Sequence, residues 1–506
     1  MIDFLFIIPF TSFFINRTKK IQQQKDAFQT LNGSYHRYHR SKIKIYHLLK
    51  IQPKIDSIQL TMETLNFTLI LSSIIVLLNL CPLIHSSPIS NFLPTKSGYL
   101  SVNPSSKSSI FYAFYEAQQP ISSLSETPLL IWLQGGPGCS SMVGNFYELG
   151  PWRVNHKMEL QKNDGSWNRI FGLLFLDNPI GTGFSIAASP DEIPRDQHGV
   201  AKHLFIAIKS FIALDGSLFG SRPIYITGES YAGKYAPAIG YYIVRKNKQL
   251  PLKERVNLAG IAIGNGLTDP ITQVTTHGLN AYFSGLINEK QKTHLEKAQR
   301  EVVKLVMEKK WSEATDARSS LLRMLQNMTG LATLYDMRRK IAYESYLVER
   351  FLSNVEVKKD LGVNISMVWE ECSDLVGKIL HEDVMKSVKY MVELLLQETR
   401  VLLYQGQADL RDGVVSVEAW MKRLNWDGIG KFEESERKVW EVKGEVAGYV
   451  QKWGSLSHVV VLGAGHFVPT DQAVHSQVMI EDWVLQRGFF GNQKIQIPNR
   501  HPKSCL

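Results

Sequence analysis

The stretch PIYITGESYAGKYAPAIG, Pro223 to Gly240, passes from a β-rich run (Ile224–Thr227) through a glycine at Gly228 into residues of helical character. Two known motifs share this strand, turn and helix architecture. One is the phosphate loop G-x-x-x-x-G-K-[ST], which the octet GESYAGKY (228–235) misses by one residue. The other is G-x-S-x-G, a sharp turn that exposes a nucleophilic serine. A phosphate loop needs a small hydroxyl after its lysine to reach Mg²⁺, and Tyr235 stands there. It also needs backbone amides clear of anions, yet Glu229 lies inside the turn. The turn therefore reads as the site of a reactive hydroxyl on Ser230, and Lys234 becomes an ordinary early-helix residue.

A serine hydroxyl is a weak nucleophile until a positioned base takes its proton, and an acid must orient that base. In α/β-hydrolases the three follow in the order Ser, Asp, His, each just beyond a strand end. RVLLYQGQADLRDG delivers Asp409 just past one strand, and HVVVLGAGHFVPTDQ delivers His466 just past another. Asp412 lies deeper in its loop and His458 starts its strand, so both are second choices. The reaction also needs donors for a developing oxyanion. The backbone amide of Tyr231 supplies one, and LIWLQGGPGCSS supplies a glycine loop, Gly135 and Gly136, directly after a strand.

The rest of the chain agrees with this reading. Strand-like runs recur at 109–117, 128–134, 173–179, 223–228, 257–266, 400–406 and 458–465, with helical stretches between them. Several are apolar at consecutive positions, as expected for strands covered on both faces. The alternation predicts an α/β fold with a mostly parallel central sheet. Between about 280 and 395 the texture turns helical, with Asn288 and Gln291 in capping positions and Leu295, Ala298, Val302 and Leu305 on one face. This reads as a helical insertion within the α/β body.

The net charge of +10 does not indicate nucleic acid. Residues 1–61 hold ten Lys/Arg against three Asp/Glu, and with Glu63 counted, only +4 remains for residues 88–506. An excess that modest over so long a segment is a solvated surface. From Met62 the chain reads METLNFTLILSSIIVLLNLCPLIHSSPIS, with an apolar run followed by small residues. That pattern predicts a cleaved signal peptide over 62–87, preceded by a non-structural N-terminal extension over 1–61, and no stable membrane span after cleavage. A membrane span over Phe67–Ile84 is the competing reading. Four cysteines are present. Cys81 leaves with the signal and Cys505 lies on a polar tail, which leaves Cys139 and Cys372 as a bridge or as two buried thiols. Asn327 and Asn364 head glycosylation sequons usable in the same compartment.

Taken together, WLQGGPGCSS, ELGPW, SWN, LLFLDNPIGTGFS, GESYAGKYAP, GNGLTDP, YQGQADL and GAGHFVPTDQ resemble the serine carboxypeptidases, especially the plant serine-carboxypeptidase-like proteins. The motifs span roughly residues 95–490 in the family's order. The resemblance implies an α/β-hydrolase over 88–506 with a helical cap, and a secreted or vacuolar enzyme without metal or organic cofactor. It would remove C-terminal residues from peptides or proteins through an acyl-enzyme, with Ser230 as nucleophile, His466 as base and Asp409 orienting it. Gly136 and Tyr231 would form the oxyanion hole. Gln134, Gly135, Glu148 and Glu229 would read the substrate's terminal carboxylate, and Cys139 would bridge Cys372. Two close carboxyls do not both ionise easily, so one keeps its proton and donates to the substrate carboxylate, which favours acidic pH. Many members have Asn where this chain has Gln134. Some plant relatives transfer acyl groups from glucose esters, but those often carry Asp where this chain has Glu229. A non-catalytic protein of the same fold would be expected to lack a triad residue, and this chain lacks none.

Overall fold

The structure, a computed structural model, describes residues 93–491. The extension (1–61), the leader (62–87), Cys81 and Cys505 lie outside the described residues. Twelve strands are formed: β1 (Lys96–Ser101), β2 (Ser109–Tyr115), β3 (Leu129–Leu133), β4 (Trp152–Val154), β5 (Leu160–Lys162), β6 (Gly172–Leu176), β7 (Ile224–Glu229), β8 (Leu258–Gly264), β9 (Arg400–Gly406), β10 (Lys438–Val442), β11 (Glu445–Trp453) and β12 (Leu456–Val461). Ten of them make one sheet in the order β1-β2-β6-β3-β7-β8-β9-β12-β11-β10, while β4 and β5 pair separately. The six central strands, β6 to β12 in that order, are parallel, and the pairs at both edges are antiparallel. This is the mostly parallel α/β sheet that the pattern predicts, in the α/β-hydrolase architecture that the resemblance implies.

The consecutive apolar residues of the central strands follow from coverage on both faces. Leu129, Ile131 and Leu133 of β3 enter one core, while Leu130 and Trp132 enter the other. Val401 and Leu403 against Leu402 and Tyr404 repeat the alternation on β9. On the first face pack α1 (Gln197–Ala213) and α2 (Ala232–Asn247), and on the second lies α6 (Ala473–Leu485). Between β8 and β9 the chain leaves the sheet to build α3 (Glu289–Met307), α4 (Trp311–Thr329) and several short helices, and returns through α5 (Lys389–Glu398). At the start of α3, Asn288 and Gln291 form a reciprocal capping box at 2.9 Å in each direction.

Packing behind the central turn is backbone against backbone. Ser230 adopts φ +61°, a conformation that side chains rarely adopt, between β7 and α2. Its backbone is tied on both sides, the amide donating to Gly264 O at 3.0 Å and the carbonyl accepting from Leu267 N at 2.9 Å. A Cβ on Gly233 would lie 2.7 Å from Gly266 Cα and from Leu267 N, so α2 meets the loop after β8 backbone to backbone. Pro237, inside α2, has no N–H to offer the Gly233 carbonyl. Thr268 Oγ1 donates to that carbonyl instead, at 2.8 Å, which both satisfies it and closes the contact. Gly233→Ala is expected to destabilise the protein by about 1–3 kcal/mol through overpacking. A lowered denaturant midpoint at unchanged slope would show it, and a variant as stable as the parent would refute the contact.

Candidate active site

Asp409 and His466 follow β9 and β12, and Ser230 follows β7, so all three loops leave the same edge of the parallel sheet. His466 Nδ1 and Asp409 Oδ2 lie 2.7 Å apart, both side chains buried. The backbone amide of Arg411 donates to Asp409 Oδ1 at 2.7 Å, and Asn265 Nδ2 donates to Oδ2 at 2.7 Å. With its carboxylate so occupied, Asp409 holds the imidazole in one orientation and keeps the proton on Nδ1. His466 Nε2, buried without a partner, is left as the acceptor. Ser230 and His466 line one cavity of about 220 Å³, together with Gln134, Gly135, Gly136 and Glu229.

The second-choice residues have other partners. Asp412 pairs with Arg318 at 3.3 Å and with Arg411 at 3.7 Å. His458 is buried against Gln405 Oε1 at 2.6 Å, and burial pushes its pKa down to about 3.

The glycine loop is pressed against the turn. A Cβ on Gly135 would lie 2.7 Å from the Tyr231 amide and 2.8 Å from Ser230 Cβ, so only glycine lets the two segments approach. Gly136 has φ +111°. Asp177 secures the loop's far end. Its Oδ1 accepts from Ser140 Oγ at 2.6 Å and Ser141 N at 2.8 Å, and its Oδ2 from Phe184 N at 2.9 Å. Cys139 is bonded to Cys372, which ties this loop covalently to the helical insertion. Oxidised cysteine is the outcome that the two-thiol alternative excluded.

Glu148, on the helical turn Gly144–Leu149, meets Glu229 through Gln134. Gln134 Nε2 donates to Glu148 Oε1 at 3.1 Å and to Glu229 Oε1 at 3.0 Å, while Trp132 Nε1 donates to Gln134 Oε1 at 2.8 Å. The longer amide thus reaches both carboxyls, with its own oxygen fixed by the indole. Burial is the first cause that raises both carboxyls, Glu148 to about 7 and Glu229 well above the usual range. The Glu148 charge raises Glu229 further, so the pair holds a proton between them.

Lys234 corrects the sequence reading. It is wholly buried and bonded to Asp383 Oδ2 at 2.8 Å, so it is not an ordinary early-helix residue. Asp383, from the insertion, also accepts from the Tyr231 hydroxyl at 2.6 Å and from Gln197 Nε2 at 2.8 Å. Nothing local marks Asp383, because its partners are about 150 residues away. Asn265, Asp177 and Tyr335 are likewise absent from the sequence reading. The Tyr335 ring lies 4.4 Å from that of His466, and its carbonyl accepts from the His466 amide at 2.7 Å. Asn265, at φ +42° within GNG, was the one with a local signal.

A strand, a strained serine turn, an Asp–His pair and a glycine loop on one sheet edge define a serine hydrolase of the α/β-hydrolase class. Serine carboxypeptidase is the family whose profile matches residues 87–486, and the chain belongs to that family. It is 60% identical over 406 residues to serine carboxypeptidase-like 50 of Arabidopsis thaliana, covering 80% of this chain and 90% of that protein. It is 34% identical over 407 residues to the probable serine carboxypeptidase CPVL of Homo sapiens, covering 78% and 83%. Among solved structures, that of Kex1Δp, a prohormone-processing carboxypeptidase from Saccharomyces cerevisiae, superposes with TM-score 0.70 at 27% identity, covering 79% and 93%. The protein is therefore a serine-type carboxypeptidase, a hydrolase.

The carboxyl pair sets a pH dependence of stability. A carboxyl raised in the folded state keeps its proton where the unfolded chain has released it, so its stabilisation is complete below the unfolded value of 4.5. That stabilisation is lost as pH rises through about 7 for Glu148. Unfolding midpoints are expected to fall across this window, and Glu148→Gln to flatten the slope. A Glu148→Gln profile parallel to the parent's would refute the assignment.

Proposed function

We propose that Ser230 is the nucleophile of a peptidase that releases C-terminal residues from peptides or proteins. The observation that carries this reading is the Asp409–His466 pair at 2.7 Å, with unpartnered Nε2 lining the Ser230 cavity. His466 Nε2 takes the Ser230 proton as Oγ attacks the scissile carbonyl, and Asp409 steadies the imidazolium. The Gly136 and Tyr231 amides receive the oxyanion, Tyr231 at the N-terminus of α2 where the helix dipole adds to the hydrogen bond. The imidazolium then protonates the departing amine, and water repeats the sequence on the acyl-enzyme. No step requires a metal or organic cofactor.

Glu229 and Glu148, bridged by Gln134 and beside Gly135, form the reader of the substrate's terminal carboxylate. The shared proton is the reason such a site accepts an anion. A neutral carboxyl donates, whereas two ionised ones repel. Acid conditions keep that proton in place. Transfer of acyl groups from glucose esters is less supported, since Glu229 stands where such relatives often carry Asp.

The secretory pathway, ending outside the cell or in a vacuole, is the compartment this reading requires. The Cys139–Cys372 bond supports it, as do the sequon residues Asn327 and Asn364, both exposed. Among the described residues no helix is long and apolar enough to cross a membrane.

Ser230→Ala is expected to lower peptide hydrolysis by roughly 10⁴-fold or more and to abolish labelling by a fluorophosphonate. Retained activity would refute the assignment. Gln134→Ala is expected to raise KM for a blocked dipeptide by about tenfold, one or two hydrogen bonds' worth. The same variant is expected to leave hydrolysis of the matching C-terminal amide unchanged. Equal losses on both would place Gln134 outside carboxylate recognition.

A further inference from the structure

A second cavity of about 650 Å³ opens behind the nucleophile turn, between the start of α1, the outer face of α2 and the segment leading into α5. It shares no lining residue with the catalytic cavity. Its volume falls within the range of small-molecule sites, about 300–1,000 Å³.

The lining carries one sign of available charge. Arg245, Lys246 and Lys386 face it, and among the described residues no carboxylate lies within ion-pair distance of any of them. Each instead rests near an aromatic ring: Arg245 5.5 Å from Tyr241, Lys246 5.8 Å from Tyr242 and Lys386 5.9 Å from Trp311. The two carboxylates in the wall are already engaged. Asp196 caps α1 by accepting from Gly199 N at 2.8 Å, and Asp383 is held by Lys234. Stacking surface comes from Tyr241 and Tyr390, 5.9 Å apart across α2 and α5, and from His198 and Tyr242, 5.7 Å apart. Cations without carboxylate partners, among rings, suit a ligand that combines a negative group with an aromatic plane.

We propose that this cavity binds a small aromatic anion, an aryl phosphate or aryl carboxylate, and that its occupancy alters turnover at Ser230. The route is short. Gln197 and Asp383 line the cavity and are also the groups that bond the Tyr231 hydroxyl, one residue after Ser230. The backbone amide of Lys386 donates to the Asp383 carbonyl at 3.0 Å, so a ligand drawing on Lys386 pulls on the same segment. Lys386 also depresses Lys234, together with burial, and an anion on Lys386 would relieve that repulsion. The effect falls on the turn that carries the oxyanion amide, so it belongs in kcat rather than KM.

The test is calorimetry on the full chain with phenyl phosphate, benzoate and inorganic phosphate as probes. Saturable one-to-one binding of phenyl phosphate or benzoate, tighter than inorganic phosphate, is expected. Affinity should fall roughly tenfold for each cation removed in Arg245→Gln and Lys386→Gln. Ser230→Ala should bind as the parent does, which separates this test from the assignment of the nucleophile. In turnover assays the phosphate ester should change kcat in the parent and not in the doubly substituted chain. Absence of saturable binding would overturn the site, as would affinity unchanged in both variants. Inhibition that is purely competitive with peptide would place the anion in the catalytic cavity and overturn it equally.

Discussion

Ser230 can be held at φ +61° only because three backbone segments meet it without side chains between them. Gly135 abuts the Tyr231 amide, Gly233 abuts Gly266, and the Ser230 carbonyl and amide are bonded to Leu267 and Gly264. A residue in that conformation costs of order 1–3 kcal/mol and persists where its surroundings over-determine it. The same contacts that fix the serine fix the Tyr231 amide and bring the glycine loop within reach of it. Ser230 and the Tyr231 amide, the proposed nucleophile and oxyanion donor, are thus positioned by one packing event, and a loosening of either glycine contact moves both.

The second constraint is a proton. Glu148 and Glu229 are fully buried and held by one amide, and among the described residues no cation pairs with them directly. Arg153 comes nearest, but its guanidinium is spent on backbone carbonyls, Glu148 O at 2.9 Å and Thr470 O at 3.2 Å among them. That clamp joins the turn bearing Glu148 to the loop just after His466, while leaving the carboxyl pair to hold its proton. The proposed recognition of an anion and the raised carboxyl pKa would then be consequences of one arrangement.

Legibility in the sequence followed the range of the interaction. The central strands could be read because burial on both faces writes a continuous apolar run, as in LLIWL (129–133) and RVLLYQG (400–406). The strands β10 and β11 could not, since only five of their fourteen residues are buried and their sequence mixes charge with apolar positions. Ser230, Asp409 and His466 were legible because each sits at a strand end in a recognisable turn. Asp383 was not, and neither was the burial of Lys234. A lysine in the first turn of a helix reads as exposed until a carboxylate from another part of the chain is known to reach it. The Gln134 geometry also lay beyond the sequence, because whether a longer amide spans two carboxyls depends on where Glu148 and Trp132 place them.

The helical insertion differs from a lid that merely covers the site. It is joined to three parts of the candidate site by three kinds of bond: a disulfide to the glycine loop at Cys139, a buried ion pair to α2 through Asp383, and a ring contact to His466 through Tyr335. A buried pair such as Lys234–Asp383 adds little net stability over an apolar replacement, whereas removing one partner strands a charge. Its value is therefore in specifying one arrangement of insertion and turn. Because Asp383 also bonds the Tyr231 hydroxyl, that arrangement also fixes the turn that carries the Tyr231 amide, the proposed oxyanion donor. The insertion thus belongs to the candidate site in the same sense as the sheet: the sheet fixes where the loops bearing Ser230, Asp409 and His466 emerge, and the insertion fixes how those loops face one another.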